Sequence, residues 1–205
     1  MRLYLASTSP ARRATLRQVG LEPIILDHSV NEEETVADAS RQGPLTPVDI
    51  VQLLARAKAE SAVGQVVDGL ILGGDSMFEV GGHLYGKPHT AEIAKQRWEL
   101  QRGQAGILHS GHWLCEVKNG QLVRGVGEAT QATVRFAADM TDDEIDAYIQ
   151  TGEPLKVAGA FTIDARGAAF IEGIEGDPYT VVGLSVVTLR RLVRSLGHEF
   201  TDLWV

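Results

Sequence analysis

The chain has a single cysteine, Cys115, and this scarcity limits its covalent chemistry. No internal disulfide can form, and no CxxC pair is present to hold zinc. The plain reading of Cys115 is a small buried hydrophobe. No apolar run approaches the roughly 18 residues needed to span a bilayer. The opening run from Met1 to Ala6 is cut off at once by Ser7-Thr8-Ser9-Pro10. A signal peptide needs a longer apolar stretch and a cleavage site, so the expectation is a strand in a cytoplasmic protein with no membrane partner. A basic surplus is also missing, since 27 acids face 19 bases for a net charge of −8. Polynucleotide binders usually carry a basic face, so the balance argues against nucleic acid as a ligand. A small anion stays open. It needs only a few focused cations, and surplus carboxylates can hold a divalent metal. Gly73-Gly74 and Gly81-Gly82 match neither the GxGxxG nor the P-loop pattern. Internal repeats and low-complexity segments are lacking too.

What is present is ordinary globular sequence: 205 residues, 44% apolar and 22% charged. That length suits one domain, or two lobes sharing a core. Leu3 to Ala6 predicts a short buried strand, and Ser9-Pro10 a capped helix start with proline at the first helical position. Ala14, Leu16 and Val19 continue the helical spacing, and Gly20 stops it. Pro23 to Leu26 predicts a second strand, followed by an acidic loop at Asn31-Glu32-Glu33-Glu34 and a polar linker to Pro47. Thr46-Pro47-Val48-Asp49 opens a helix with Ile50, Leu53, Leu54 and Ala57 on one face. Leu70-Ile71-Leu72 predicts a strand ending at Asp75, and Gly81-Gly82 a hairpin between Met77–Val80 and His83–Tyr85. Thr90 opens a helix ending near Gly103. Two long strands, joined at Lys118-Asn119-Gly120, fill 107–136. Thr141-Asp142-Asp143-Glu144 is a capping box for a helix to about Gln150. Strands near Ala169 to Ile174 and Tyr179 to Val182 precede a closing helix from Ser185 to Leu196. The fold class is therefore α/β around a mixed sheet.

Several segments can carry chemistry. Strand, hydroxyl-rich loop and helix at Ser7 to Arg13 leave backbone N–H groups at a positive dipole end, a seat for phosphate. Arg12 and Arg13 in the first turn are misplaced for the dipole and suggest an anion between them. An ordinary serine-capped helix with solvated arginines reads equally. Asp75, at a strand's end behind Gly73-Gly74, suits a ligand edge or a plain turn. Among Glu32, Glu33 and Glu34, two are expected to be solvated charges. Lys58 near a helix end often just favours the dipole, while Lys87 is held rigidly in Gly86-Lys87-Pro88. His109 and His112 have helical spacing in a strand context, so their side chains diverge. Cations for phosphate oxygens and hard oxygens for Mg²⁺ are the set a metal-bound triphosphate needs.

Leu5-Ala6-Ser7-Thr8-Ser9-Pro10-Ala11-Arg12-Arg13 resembles the opening signature of the Maf family, usually written LASxSPRR. The resemblance continues in family order through Val30-Asn31-Glu32, Ala57-Lys58-Ala59, Gly74-Asp75-Ser76, Gly86-Lys87-Pro88, Ala158-Gly159-Ala160-Phe161 and Val182-Gly183-Leu184. It implies one domain over 1–205, with two lobes around a central cleft in an elongated, inosine-triphosphatase-like fold. It implies a nucleoside triphosphate pyrophosphatase, a homodimer in many members, that uses a divalent cation such as Mg²⁺ or Mn²⁺. By the resemblance Asp75 is the proton acceptor, and Glu32 and Asp75 hold the metal. Arg12, Lys58 and Lys87 neutralise phosphate charge, and Ser7, Ser9, Arg12 and Arg13 bind phosphate. Members acting on dTTP and UTP carry Arg, Thr and Gln where this chain has Ala11, Ser76 and Asp164. The branch resembling 7-methyl-GTP pyrophosphatases replaces all three, with a carboxylate at the last. A carboxylate accepts but cannot donate, so Asp164 suits the N–H edge of guanine. Two rivals stand beside this: a broad house-cleaning triphosphatase without a sharp base preference, and a nucleotide-binding regulator of septum formation or cell division without turnover.

Overall fold

The computed structural model describes residues 1–205. Its elements alternate in the order β1 (Leu3–Ala6), α1 (Pro10–Gln18), β2 (Ile24–Ile25), α2 (Glu32–Ser40), α3 (Pro47–Ser61), β3 (Gly69–Val80) and β4 (His83–Tyr85). After these come α4 (Ala91–Gln101), β5 (Ala105–Lys118), β6 (Gln121–Phe136), α5 (Asp142–Gln150), β7 (Ile171–Gly176), α6 (Pro178–Val182) and α7 (Val186–Ser195). The strands form one seven-stranded mixed sheet in the order β2-β1-β3-β5-β6-β7, with β4 paired to β3. The expected α/β class holds. No helix is long and apolar enough to cross a membrane.

The chain divides into two compact units. The first comprises Met1–Asp75, Ser110–Thr130 and Gly183–Val205, and the second Ser76–His109 and Gln131–Val182. In the first, β1 pairs in parallel with both β2 and β3. Period-two alternation splits its core. Leu3, Leu5, Leu70 and Leu72 join a leucine-rich cluster with Leu16, Leu184 and Leu189, whereas Tyr4, Ala6 and Ile71 pack with Ala59, Val66 and Cys115. Cys115 is buried as expected, and burial, with Glu60 adding to it, pushes its thiol up to about 12. The second unit is built on aromatics: Phe78, Trp98, Phe136 and Phe161 meet edge to face at centroid separations of 5.0–5.8 Å.

Four local expectations need correction. The acidic run is not a loop. Asn31 Oδ1 accepts from Glu34 N at 3.2 Å and caps α2, whose first turn holds Glu32, Glu33 and Glu34, acids that suit its positive end. The helix buries none of its residues, so it leaves no apolar period to read. The strand through Leu70 does not stop at Asp75. It runs to Val80 and forms the expected hairpin, with Val80 opposite His83. Residues 178–182 are helical despite their β-branched content, because Asp177 Oδ1 accepts from Tyr179 N at 2.9 Å and Pro178 pre-sets the first turn.

The fourth concerns α3. Its cap is as expected, a full box between Thr46 and Asp49, but its buried face is Val51, Leu54, Ala55, Lys58 and Ala59. Of the expected face only Leu54 is fully buried, with Ile50, Leu53 and Ala57 half-buried, because glycines admit the helix backbone along Val51, Ala55 and Ala59. A Cβ on Gly73 would stand 2.1 Å from Ala55 O, and one on Gly111 2.2 Å from Val51 O. This close approach places Lys58. Gly73→Ala is expected to cost on the order of 1–3 kcal/mol through overpacking against backbone. Urea unfolding checks it; an unchanged midpoint would mean α3 sits further from the strand.

Candidate active site

The parallel strands of the first unit bring the reactive residues to one edge. Ala6 pairs with Gly73, so Ser7 and Gly74 leave the register side by side, with Asp75 next. Alternation then sorts β3: Leu72 and Gly74 face the leucine cluster and α1, while Gly73 and Asp75 face α3. Arg12 arrives from one side and Lys58 from the other. A Cβ on Gly74 would lie 2.9 Å from Arg12 Nε, so glycine there is the floor under the guanidinium. Arg12 is buried, donating from Nε to Gly183 O at 2.8 Å and from Nη1 to Ser7 Oγ at 3.0 Å. Lys58 donates from Nζ to Asp75 Oδ1 at 2.7 Å and stands 2.7 Å from Glu32 Oε1. Its side chain is 7% exposed and that of Asp75 11%, whereas Glu32 is 48% exposed. Structure thus joins five of the expected residues, the cations Arg12 and Lys58, the carboxylates Glu32 and Asp75, and the Ser7 hydroxyl.

The electrostatics follow from burial. Desolvation raises the Asp75 carboxyl above its ordinary range, and the attraction of Lys58 and Arg12 offsets this only in part. Desolvation likewise lowers Arg12, opposed by Asp75 and Glu32, but a guanidinium stays charged at any working pH. A carboxylate with a raised pKa, flanked by fixed cations, is suited to take a proton beside a bound anion.

The Ser7–Ser9 loop differs from the open phosphate seat that its sequence suggests. Ser7 Oγ accepts from Ser9 N at 3.3 Å, and Ser9 Oγ caps α1 by accepting from Arg12 N at 3.4 Å. Short hydroxyl side chains reach these N–H groups locally, so the loop is already cross-bonded. Arg12 and Arg13 turn to different surroundings. The Arg13 side chain is 45% exposed and 4.0 Å from Glu22. Ala11 is half-buried. Ser76, Lys87 and Asp164 belong to the second unit, where Lys87 and Asp164 are exposed and Ser76 half-buried. Lys87 follows Gly86, whose carbonyl accepts from Arg97 Nη1 and from Gly159 N, so the segment is tethered as its Gly-Lys-Pro sequence suggests. The two histidines diverge: His109 Nε2 lies 2.9 Å from Glu79 Oε2, while His112 meets Glu128 O and Ser185 N.

Sequence reading missed two participants. His28 follows β2 at the same edge, and its buried Nδ1 has no hydrogen-bond partner. Its pKa is lowered by burial first and by Lys58 next, with Glu32 and Asp75 pulling the other way, so it lies within electrostatic reach of the cluster. The available signal was its position just past a strand parallel to β1. Gly183, the acceptor for Arg12, showed only as part of a Val-Gly-Leu landmark.

Comparison with known proteins covers nearly the whole chain. The family described as Maf-like protein matches residues 2–196. A protein of Leifsonia xyli subsp. xyli named nucleoside triphosphate pyrophosphatase is 57% identical, over 100% of this chain and 97% of the relative. Proteins of the same name from Streptomyces coelicolor and Salinispora tropica are each 46% identical. The alignments cover 99% of this chain and 94% of the first, and 100% of this chain and 88% of the second.

Proposed function

Because the chain belongs to the Maf-like protein family, we propose that it hydrolyses a nucleoside triphosphate to the monophosphate and pyrophosphate. The observation that carries this reading is the buried Lys58–Asp75 contact beside Arg12: a base of raised pKa held between cations. A regulator that only bound nucleotide would have no use for such a base. Water attacks the α-phosphorus in line, Asp75 takes its proton, the bond to the bridging oxygen breaks, and pyrophosphate leaves. Arg12 and Lys58 stabilise charge growing on the phosphate oxygens. Lys87 is given the same role on the Gly86-Lys87-Pro88 match alone; on the opening-signature match, Ser7 and Ser9 are given hydrogen-bond donation to phosphate and Arg13 phosphate binding.

The cluster also fits a divalent cation. Two hard carboxylate oxygens, from Glu32 and Asp75, already converge on one positive centre. No group of three or more His, Cys, Asp or Glu is placed to hold a metal ion, so the cation is proposed on the family resemblance, with substrate phosphates and water as its remaining ligands. Glu32 and Asp75 would hold Mg²⁺ or Mn²⁺, which when bound neutralises phosphate charge and acidifies water.

We assign base selection to Ala11, Ser76 and Asp164, favouring a 7-methyl-GTP-like purine over UTP and dTTP. Residues 1–205 act as one catalytic domain in a homodimer, on the family resemblance. The test is pyrophosphate release from 7-methyl-GTP, UTP, dTTP and CTP with Mg²⁺ and Mn²⁺. The expected order places 7-methyl-GTP first. UTP and dTTP as the best substrates would overturn the base preference, and tight binding without release would establish the regulator instead.

A further inference from the structure

We infer that His112 is a positioning residue for Arg12, acting through the Gly183–Ser185 segment. Ser185 N donates to His112 Nε2 at 2.9 Å in a buried contact. That nitrogen is therefore unprotonated, so Nδ1 carries the ring hydrogen and donates to Glu128 O at 3.1 Å. The imidazole is neutral, in one tautomer, and 0% exposed. Its β5 neighbourhood is fixed as well, since Gln52 Nε2 donates to His112 O at 3.1 Å and Gly111 lies against the α3 backbone. Two residues before Ser185, Gly183 O receives Arg12 Nε at 2.8 Å. The intervening Leu184 is buried in the leucine cluster, and Ser185 Oγ caps α7 by accepting from Thr188 N at 3.2 Å.

Three anchors thus hold a three-residue segment whose carbonyl aims the buried guanidinium. Gly183 has φ +104°, a conformation that a side chain would strain, so the carbonyl direction is set by backbone shape and not by a flexible side chain. Of the anchors, the imidazole is the one that meets the segment by a side-chain acceptor. Without it Ser185 N–H would be buried and unsatisfied, and the segment would move to find a partner. Arg12 would move with it.

This inference rests on the phosphate role proposed for Arg12, and a double-mutant cycle separates the two. Asparagine at 112 reaches only as far as Nδ1 and leaves Ser185 without an acceptor, whereas glutamine reaches the Nε2 position. H112N is expected to lower kcat/KM by about 10- to 100-fold, the scale of an ångström-size misplacement. H112Q is expected to stay within about threefold of wild type. In an R12A background, H112N is expected to add nothing further. Inhibition by inorganic pyrophosphate should weaken in parallel in R12A and H112N and stay unchanged in H112Q. Effects of R12A and H112N that multiply, or an H112Q variant as impaired as R12A, overturn the inference while leaving the phosphate role standing. R12A at the wild-type rate removes that role and this inference with it. If H112N fails to fold, H112L, which also lacks the acceptor for Ser185 N, takes its place in both measurements, and an H112L variant with the wild-type rate and pyrophosphate inhibition overturns the inference.

Discussion

Replacing Asp75 by asparagine is expected to lower turnover by on the order of 10²–10⁴-fold, the usual contribution of a positioned proton acceptor. Asparagine keeps the shape and offers Lys58 an oxygen, but it cannot take a proton from water. Lys58 keeps Glu32 at 2.7 Å and Arg12 keeps Gly183 O and Ser7 Oγ, so cooperative unfolding should persist although the buried guanidinium loses the attraction of Asp75. The pH dependence gives a second, independent readout. Burial raises the Asp75 pKa above the ordinary aspartate range. The group must be ionised to act, so wild-type kcat/KM should fall as pH drops through that raised value. The acid limb should accordingly lie above the range of a free aspartate where the divalent cation is limiting, and move down as the cation is raised, because a bound cation favours the carboxylate. Residual activity of Asp75→Asn should lack this limb. Near wild-type turnover in the variant would falsify the assignment of Asp75 as base.

Legibility of the fold tracked how local its determinants were. Ser9-Pro10, Thr46-Pro47, Thr90 and Thr141–Glu144 each announce a helix through hydrogen bonds within four residues, and each helix starts where expected. Asn119 and Gly120, at φ +51° and +73°, likewise make the predicted turn between β5 and β6. Errors arose where a tertiary contact or an unusual cap decided. The α3 face depends on glycines of two distant strands, and nothing within residues 47–61 reports them. Residues 178–182 have strand-like composition, and a single aspartate cap with proline reverses it.

The site divides along the same line. That Ser7, Arg12, Lys58 and Asp75 are candidates for the site could be read from residue type and family-like spacing. Which of them meet could not. Arg12 and Arg13 are adjacent in sequence and look equivalent, yet helical geometry turns one to Gly183 and the other to solvent near Glu22. Glu32, Glu33 and Glu34 look equivalent too, and only Glu32 is set against Lys58. A helix separates neighbours by about 100° per residue, so pairing depends on where the partner element lies.

Removing the Lys58 ammonium is expected to have the largest effect on stability. Lys58→Met keeps the length and apolar stem of the side chain while leaving Asp75, 11% exposed, without its nearest counter-charge. Breaking a buried pair on one side costs on the order of 3–5 kcal/mol, because the remaining charge is neither solvated nor matched. Arg12 remains nearby but is committed to Gly183 O and Ser7 Oγ. Glu32, half in solvent, can rehydrate and should add little. The sign of the pH effect identifies the cause. Without Lys58 the folded-state pKa of Asp75 rises further above its unfolded value, so the variant binds a proton more tightly folded than unfolded. Its stability relative to wild type should therefore recover as pH falls through that raised pKa and be lowest above it. Lys58→Met with Asp75→Asn should regain most of the loss at neutral pH, where the single variant is worst. Urea unfolding of the three variants at neutral and mildly acidic pH measures all of this. A Lys58→Met midpoint equal to wild type at neutral pH would show that water, and not Lys58, holds the charge of Asp75.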